Sequence, residues 1–394
     1  VIDSASWAER LGGDTFLAQT CFRAHKVIRS NGNVRLSLLT WDDLNEIVAT
    51  HRLEPPRMRL SRVGEAVPAT AYSILRTNRR GVSWYQPEPA EFHARLAEGA
   101  SLVIDAIDQI HPPVREAAAG LERFFRTPVQ VNVYASWTAE EGFGTHWDDH
   151  DVVVLQLEGS KRWKIYGPTR LAPAWRDVQA PEAPAGDPLA DILLTPGDLL
   201  YLPRGWWHAV SADQGTASLH LTFGLATQTG AEFLGWLCDD LRASVTVRAD
   251  VPRFGTPEVR ADYLAAVRQE VLTALDDSAV LNRWEESLDA THPGYPRLSL
   301  PHLTAVPAEP GIIVQTTAPR ARIDQDGQTV TFAGAGKEWT FALPVAPVLR
   351  LLSGGSPTTL AGLAAESDLT LVQVAQVVSA LVAGQVVAVV GGSS

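Results

Sequence analysis

Cysteine is nearly missing from this chain: Cys21 and Cys238 are the two in 394 residues, and both sit among apolar neighbours. So few thiols exclude a disulfide framework and a cysteine-built zinc site, and they predict a reducing, cytoplasmic setting. No apolar run approaches the roughly 20 residues a membrane span needs, so no membrane association is expected. The opening VIDSASWAERLGG carries neither a basic nor an apolar segment, and no secretory signal is expected. Basic residues are also short: 33 Lys and Arg face 45 Asp and Glu, a net charge of −12. Phosphate binding needs a basic face, so direct nucleic-acid binding is not expected. An acidic surface does suit a Lys- and Arg-rich protein partner. No internal repeat of fixed period is present.

What is present reads as an ordinary globular chain, 45% hydrophobic and 20% charged, long enough for two or three domains. Residues 4–27 read as helix and then extended chain. After residues 35–40, Thr40 caps a helix with Asp42 and Asp43 in its first turn and His51 at its end. Residues 57–63 alternate as a strand, Pro89 to Glu98 form a helix, and Leu102 to Ile104 form a strand. Residues 113–126 form an amphipathic helix. Residues 168–191 are an irregular connection. Helical spacing returns over 229–245, then after Thr256-Pro257-Glu258 through Tyr263, Leu264, Val267, Val271 and Leu275, and again over 278–290. Residues 294–320 are proline-rich and read as a linker. Beyond them come a hairpin over 328–342, a helix from Pro344 to Leu352, one capped by Thr358 or Thr359, and one from Leu371 to Ala383 capped by Thr370. A strand from Val386 to Val390 follows. Three short helices with a closing β-element resemble a winged helix.

The chemistry concentrates in residues 130–225. His146 and Asp148 are two apart, and in a strand residues i and i+2 share a face. A third ligand, His208, follows the apolar Leu199-Leu200-Tyr201-Leu202 and the turn Pro203-Arg204-Gly205. Two imidazoles and one carboxylate are the set that holds Fe(II) on one side and leaves positions open on the other. His150 has the same parity as His146 and Asp148, so alternation does not reject it; it is expected to point out past the rim. His220 is expected to be a hydrogen-bonded core histidine. Lys161 lies in a half-buried strand, where a lysine needs an anionic partner, although Arg162 and Lys164 beside it offer the same charge.

Gly197, Pro203, Gly205 and His208 match the cupin pattern G-x5-P-x-G-x2-H. Across residues 121–225 the chain resembles the JmjC subgroup of Fe(II)/2-oxoglutarate oxygenases, and within it the ribosomal oxygenases, a group of protein-side-chain hydroxylases. The resemblance is carried by Asn-Val-Tyr (132–134), His-Trp-Asp-Asp-His-Asp (146–151), Leu-Gln-Leu-Glu-Gly-Ser-Lys-Arg-Trp-Lys (155–164), Leu-Pro-Arg-Gly-Trp-Trp-His (202–208) and Ser-Leu-His-Leu-Thr (218–222). It implies a mainly β fold with α, a double-stranded β-helix barrel, followed by a helical dimerisation region and a C-terminal winged helix. The corresponding division is 1–228 for the oxygenase domain, 229–300 for the helices, and 301–394 for linker and winged helix. It implies His146, Asp148 and His208 as iron ligands and catalytic residues. It also implies Lys161, Asn132, Tyr134 and Ser218 as contacts of 2-oxoglutarate.

The expected activity is Fe(II)- and 2-oxoglutarate-dependent hydroxylation of a protein side chain, with O2 as oxidant, a ribosomal protein as substrate and a homodimer as the working form. Two oxidative alternatives stay open: a free peptide or small metabolite as substrate, and removal of an N-methyl group. Non-oxidative cupins usually offer an extra His and a Glu, so Asp148 speaks against them. A regulatory winged-helix protein with a degenerate barrel is opposed by the complete ligand set. Arg76, Arg79 and Arg80, in a loop-like stretch, read as substrate contacts or as a solvated basic patch.

Overall fold

A computed structural model describes residues 3–30, 37–139, 142–173, 182–213 and 216–392. Residues 35–36 before the Thr40 helix, and 174–181 within the expected irregular connection, lie outside the described residues. The chain forms two compact units, Val1–Thr227 and Gln228–Ser394.

The first unit opens with helices α1 (Ser4–Leu11) and α2 (Gly13–Gln19), strand β1 (Lys26–Ile28) and helix α3 (Trp41–Thr50). The last of these begins at a reciprocal cap: Thr40 Oγ1 accepts from Asp43 N at 3.1 Å, and Asp43 Oδ2 accepts from Thr40 N at 2.9 Å. Strands β2 (Met58–Arg62) and β3 (Glu65–Val67), the hairpin β4 (Ser73–Thr77) and β5 (Ser83–Pro87), helix α4 (Pro89–Ala97), strand β6 (Ser101–Ile104) and helix α5 (Pro112–Phe125) follow. Arg76 lies on the hairpin and Arg79 and Arg80 on its turn, all three exposed. The remaining strands are β7 (Val129–Ser136), β8 (Asp151–Glu158), β9 (Lys161–Pro168), β10 (Ala190–Leu194), β11 (Leu199–Leu202), β12 (Trp206–Ala212) and β13 (Ser218–Leu225).

These strands make two facing sheets, ordered β1-β11-β8-β13-β7-β6-β2-β3 and β10-β9-β12. Val152 and Val154 of the larger sheet pack on Trp163, Ile165, Ile192 and Leu194 of the smaller, which is why β8 reads as an unbroken apolar run. On β13 alternate residues divide the labour. Phe223 faces outward, where its ring meets Trp7 of α1 at 5.4 Å, while Trp7 Nε1 donates to Ala117 O of α5 at 2.9 Å. Both side chains are fully buried; a Phe so placed contributes about 1.5–3 kcal/mol. Ser218, His220, Thr222 and Gly224 take the opposite, inward face. The architecture is mainly β with α and of the cupin type, but the ladders do not close into a barrel. Among the described residues the two sheets stay separate, and an isolated bridge between His146 and His208 joins their mouths.

The second unit begins with helices α6 (Gly230–Asp240), α7 (Val245–Arg248), α8 (Pro257–Asp276) and α9 (Val280–Thr291). The first is capped by Thr229, whose backbone N donates to Glu232 Oε2 at 2.8 Å. Trp284 of α9 is buried against Phe233 of α6, with ring centroids 5.4 Å apart. In contrast, α8 has no buried residue, so Tyr263, Leu264 and the other apolar positions anticipated there do not enter this unit's core.

Strands β14 (Ile313–Thr316), β15 (Arg322–Gln325), β16 (Thr329–Gly334) and β17 (Lys337–Ala342) follow, then helix α10 (Ala346–Ser353), strand β18 (Thr358–Thr359), helices α11 (Leu360–Ala365) and α12 (Leu371–Ala383), and strand β19 (Val387–Gly391). Val314, Phe332, Leu349, Leu363, Val378 and Val387 share one core. The expectation of a linker through 320 is corrected here: β14 is the central strand of β18-β14-β19, and Gln315 and Thr316 are buried. A four-residue strand held between Pro310 and Pro319 is diluted when composition is averaged over the whole proline-rich stretch.

Candidate metal centre

The sequence places its three prospective ligands on two segments, and backbone hydrogen bonds draw those segments together. His146 N donates to His208 O at 3.0 Å, His208 N donates to His146 O at 2.8 Å, and Gly205 N donates to Asp148 O at 2.8 Å. The turn that makes this register needs Gly205. Its φ is +77°, and a Cβ there would lie 2.7 Å from the Pro173 ring. Behind the turn, Asp151 accepts from Arg204 N and from Tyr201 Oη, both at 2.7 Å. Asp198 ties the preceding loop by accepting from Ser30 N at 2.8 Å and from Thr195 N at 3.0 Å, and it pairs with Arg29 at 2.7 Å. Burial pushes the Asp198 carboxyl upward, yet these partners hold it below the ordinary range.

Both ligand histidines are oriented in the same way. His146 Nδ1 donates to Gly144 O and His208 Nδ1 donates to Trp206 O, each at 3.0 Å. A carbonyl accepts only, so each Nδ1 carries a proton and each ring turns its Nε2 side away from that carbonyl. The ring centroids are 4.3 Å apart, and His208 Nε2 is 3.7 Å from Asp148 Oδ2. One potential ligand atom from each of His146, Asp148 and His208 lies within 4.8 Å of the others. That spread lets a single ion meet all three after small side-chain rotations. The set fits a divalent iron by donor chemistry: two neutral imidazoles, one carboxylate and an open side.

His150 does not join this group. Its Nδ1 lies 3.1 Å from Asp149 Oδ1. Its ring does not point out past the rim as anticipated; it lies on β13, where a Cβ at Gly224 would come within 2.8 Å of its Cδ2. The missing side chain at Gly224 makes room for the imidazole along the wall of a cavity of about 620 Å³.

That cavity is lined by His146, Asp148, His208, Lys161, Asn132 and Tyr134 among others. Asn132 Oδ1 accepts from Ala106 N at 3.0 Å, which leaves its amide NH2 as the group to offer. Burial, and then the charge of Asp148, raise the Tyr134 phenol to about 12, so it stays protonated. Lys161 is 4% exposed, and its Nζ donates to Ser136 Oγ across the two sheets. Burial pushes this lysine down to about 7, with no carboxylate contributing among the described residues. Arg162, the neighbouring cation, points away and pairs with Asp191 at 2.9 Å and Asp213 at 3.5 Å. Ser218 is not among the residues lining the cavity; its hydroxyl accepts from Gln156 Nε2 at 2.9 Å.

Three inward residues were not singled out from sequence: Ser136, Trp163 and Thr222. Register explains the first and third, because Ser136 pairs with Ser218 and Asn132 with Thr222. The sequence signal was parity, two residues beyond Tyr134 and two beyond His220. His220 itself departs from expectation. It lines the cavity, and its buried Nδ1 has no hydrogen-bond partner among the described residues.

Facing sheets with a His-x-Asp pair and a distant His at their mouth are the arrangement of a cupin-type fold, and the JmjC domain model matches residues 109–233. Within that class the chain is similar to ribosomal oxygenases. It is 38% identical over 140 residues to the bifunctional lysine-specific demethylase and histidyl-hydroxylase NO66 of Drosophila persimilis, covering 36% of this chain and 20% of that protein. It is 39% identical over 141 residues to ribosomal oxygenase 2 of Rattus norvegicus, covering 34% of this chain and 30% of that one. The chain therefore spans under a third of the length of these relatives. Among solved structures, the Escherichia coli ribosomal oxygenase YcfD in complex with cobalt and 2-oxoglutarate shares the fold. Its TM-score is 0.56 at 18% identity, over 95% of this chain and 97% of that one.

Proposed function

We propose that this chain is an Fe(II)- and 2-oxoglutarate-dependent oxygenase that hydroxylates a side chain of a protein, with a ribosomal protein as the substrate class. The observation that carries the reading is paired: His146, Asp148 and His208 clustered at one end of a cavity, and on the same cavity a buried Lys161 with no carboxylate contributing among the described residues. His146, Asp148 and His208 would hold the iron. Lys161 would neutralise the far carboxylate of the oxo acid, and Asn132 and Tyr134 would donate hydrogen bonds to it. Ser218 acts through Gln156 and the cross-strand Ser136 rather than from the wall. When bound, iron and 2-oxoglutarate supply oxygen activation, the acid leaving as succinate and CO2. The protein's part is to orient and to exclude water: Trp163 and the apolar residues between the sheets dry the inner end, and the Nδ1 hydrogen bonds of His146 and His208 hold both rings in place.

The relatives' names support protein substrates, and the NO66 name adds demethylation of lysine as a second reading. A free peptide or metabolite is the third. The divisions at 228 and 300 are retained in this proposal. Helices over 229–300 pair two copies through the uncovered apolar positions of α8, and 301–394 is a winged helix. Cys21 and Cys238 are both free, which supports a cytoplasmic setting. Among the described residues, no helix is long and apolar enough to cross a membrane.

The test is oxygen-dependent succinate formation by the Fe(II)-loaded chain, followed by mass spectrometry of host ribosomal proteins with and without this gene. Asp148→Ala should abolish turnover, and one ribosomal protein should gain a single oxygen atom. Iron-independent turnover, or full activity in Asp148→Ala, sinks the oxygenase reading. Loss of a methyl group in place of oxygen gain selects the demethylase.

A further inference from the structure

One polar side chain in the cavity is left without a partner. His220 is 3% exposed, and its Nδ1 is buried and unbonded among the described residues. An unsatisfied buried polar group costs about 1–3 kcal/mol, and one on a cavity wall can be satisfied by what the cavity binds. The ring cannot turn to find another partner. It stacks on Tyr134 with centroids 5.0 Å apart and planes 4° apart, and Trp163 closes on it at 5.9 Å. Trp163 also stacks on His208 at 5.5 Å. On the other side, the charge of Lys161 acts on His220, and Lys161 shares the inward parity of Trp163 on β9. His208, Trp163, His220 and Lys161 are therefore successive neighbours from the metal ligands to the buried ammonium. His220 is not one of the three clustered ligands.

We propose that His220 is a binding residue for the dicarboxylic oxo acid, donating a hydrogen bond to the carboxylate that Lys161 neutralises. The inference rests on the oxygenase reading above. A diacid held by iron at one end and Lys161 at the other passes the His220 ring, and it supplies the acceptor the ring lacks. Burial and then the Lys161 charge keep the imidazole neutral, which leaves it one N–H to give. A neutral donor beside a single ammonium fixes the acid's direction without adding a second buried cation.

The experiment compares two acids on the Fe(II)-loaded full chain without oxygen, by calorimetry. 2-Oxoglutarate carries the far carboxylate; 2-oxobutyrate has the same oxo acid head and lacks it. His220→Leu should weaken 2-oxoglutarate about ten-fold or more while 2-oxobutyrate changes by less than about two-fold. His220→Gln, which keeps a donor, should lose less, and it carries the same comparison if the Leu variant does not fold. An unchanged 2-oxoglutarate affinity overturns the inference. Equal losses for both acids also overturn it, because they move His220 to the metal end. If wild-type chain binds 2-oxoglutarate and the variants match it, the inference falls alone. A wild-type chain that binds neither acid removes the oxygenase reading with it.

Discussion

Lys161 and Ser136 meet across the two sheets, a buried ammonium resting on a hydroxyl with no carboxylate contributing among the described residues. A lysine held at about 7 binds fewer protons folded than unfolded between pH 7 and its ordinary range near 10.4. The unfolded state then binds more protons, so stability rises with pH across that window. Lys161→Met should stabilise the ligand-free chain at pH 7 by on the order of 3 kcal/mol, and thermal unfolding would show it as a higher midpoint. The same variant should lose the stabilisation that 2-oxoglutarate gives wild type. Wild-type affinity for the acid should weaken as pH climbs above about 7, because the ammonium must then be recharged. A flat affinity profile from pH 7 to 9 would count against Lys161 as the anchor.

Gly205→Ala should separate folding from metal binding. The left-handed φ of +77° and the 2.7 Å approach to Pro173 push the turn away from Asp148. The expected cost is about 1–3 kcal/mol of stability. Metal affinity should fall about ten-fold or more, since the displaced turn also carries the carbonyl that orients His208. Cobalt titration beside circular dichroism reads both. Unaltered cobalt binding would mean the bond from Gly205 N to Asp148 O has no part in ligand placement.

Asp198 holds its loop rather than taking part in the chemistry. Asp198→Ala strands Ser30 N, Thr195 N and the Arg29 guanidinium, at about 2–4 kcal/mol. Its folded carboxyl lies below the ordinary range, so its contribution is present above about pH 4 and is lost as pH falls further. The gap between wild-type and Asp198→Ala melting midpoints should therefore narrow from pH 7 to pH 3.

Leu264 is 65% exposed on a helix with no buried residue. If α8 pairs two copies, Leu264→Glu should turn a dimer into a monomer by light scattering, with far-UV helicity unchanged. A monomeric wild type would end that part of the proposal.

Local pattern carried much of this structure. The Thr40, Thr359 and Thr370 caps, the helix from Pro257, and the His146, Asp148 and His208 cluster each depend on residues close in sequence or on one diagnostic turn. What stayed hidden depends on contacts between distant strands. Ser136 becomes Lys161's partner through the facing of β7 and β9, and His150 settles inward because Gly224 has no side chain. Strand β14 was missed for a different reason: prolines on either side outweighed a short β-branched run. The open barrel is likewise a matter of ladder ends, which alternation of single strands does not report.

Because the ladders stop short of each other, the lips of the two sheets are fastened by one short bridge and by whatever His146, Asp148 and His208 grip together. An ion held there would work as a rivet, and its binding energy would add to the folded state. The ion-loaded chain should therefore resist protease longer than the empty one.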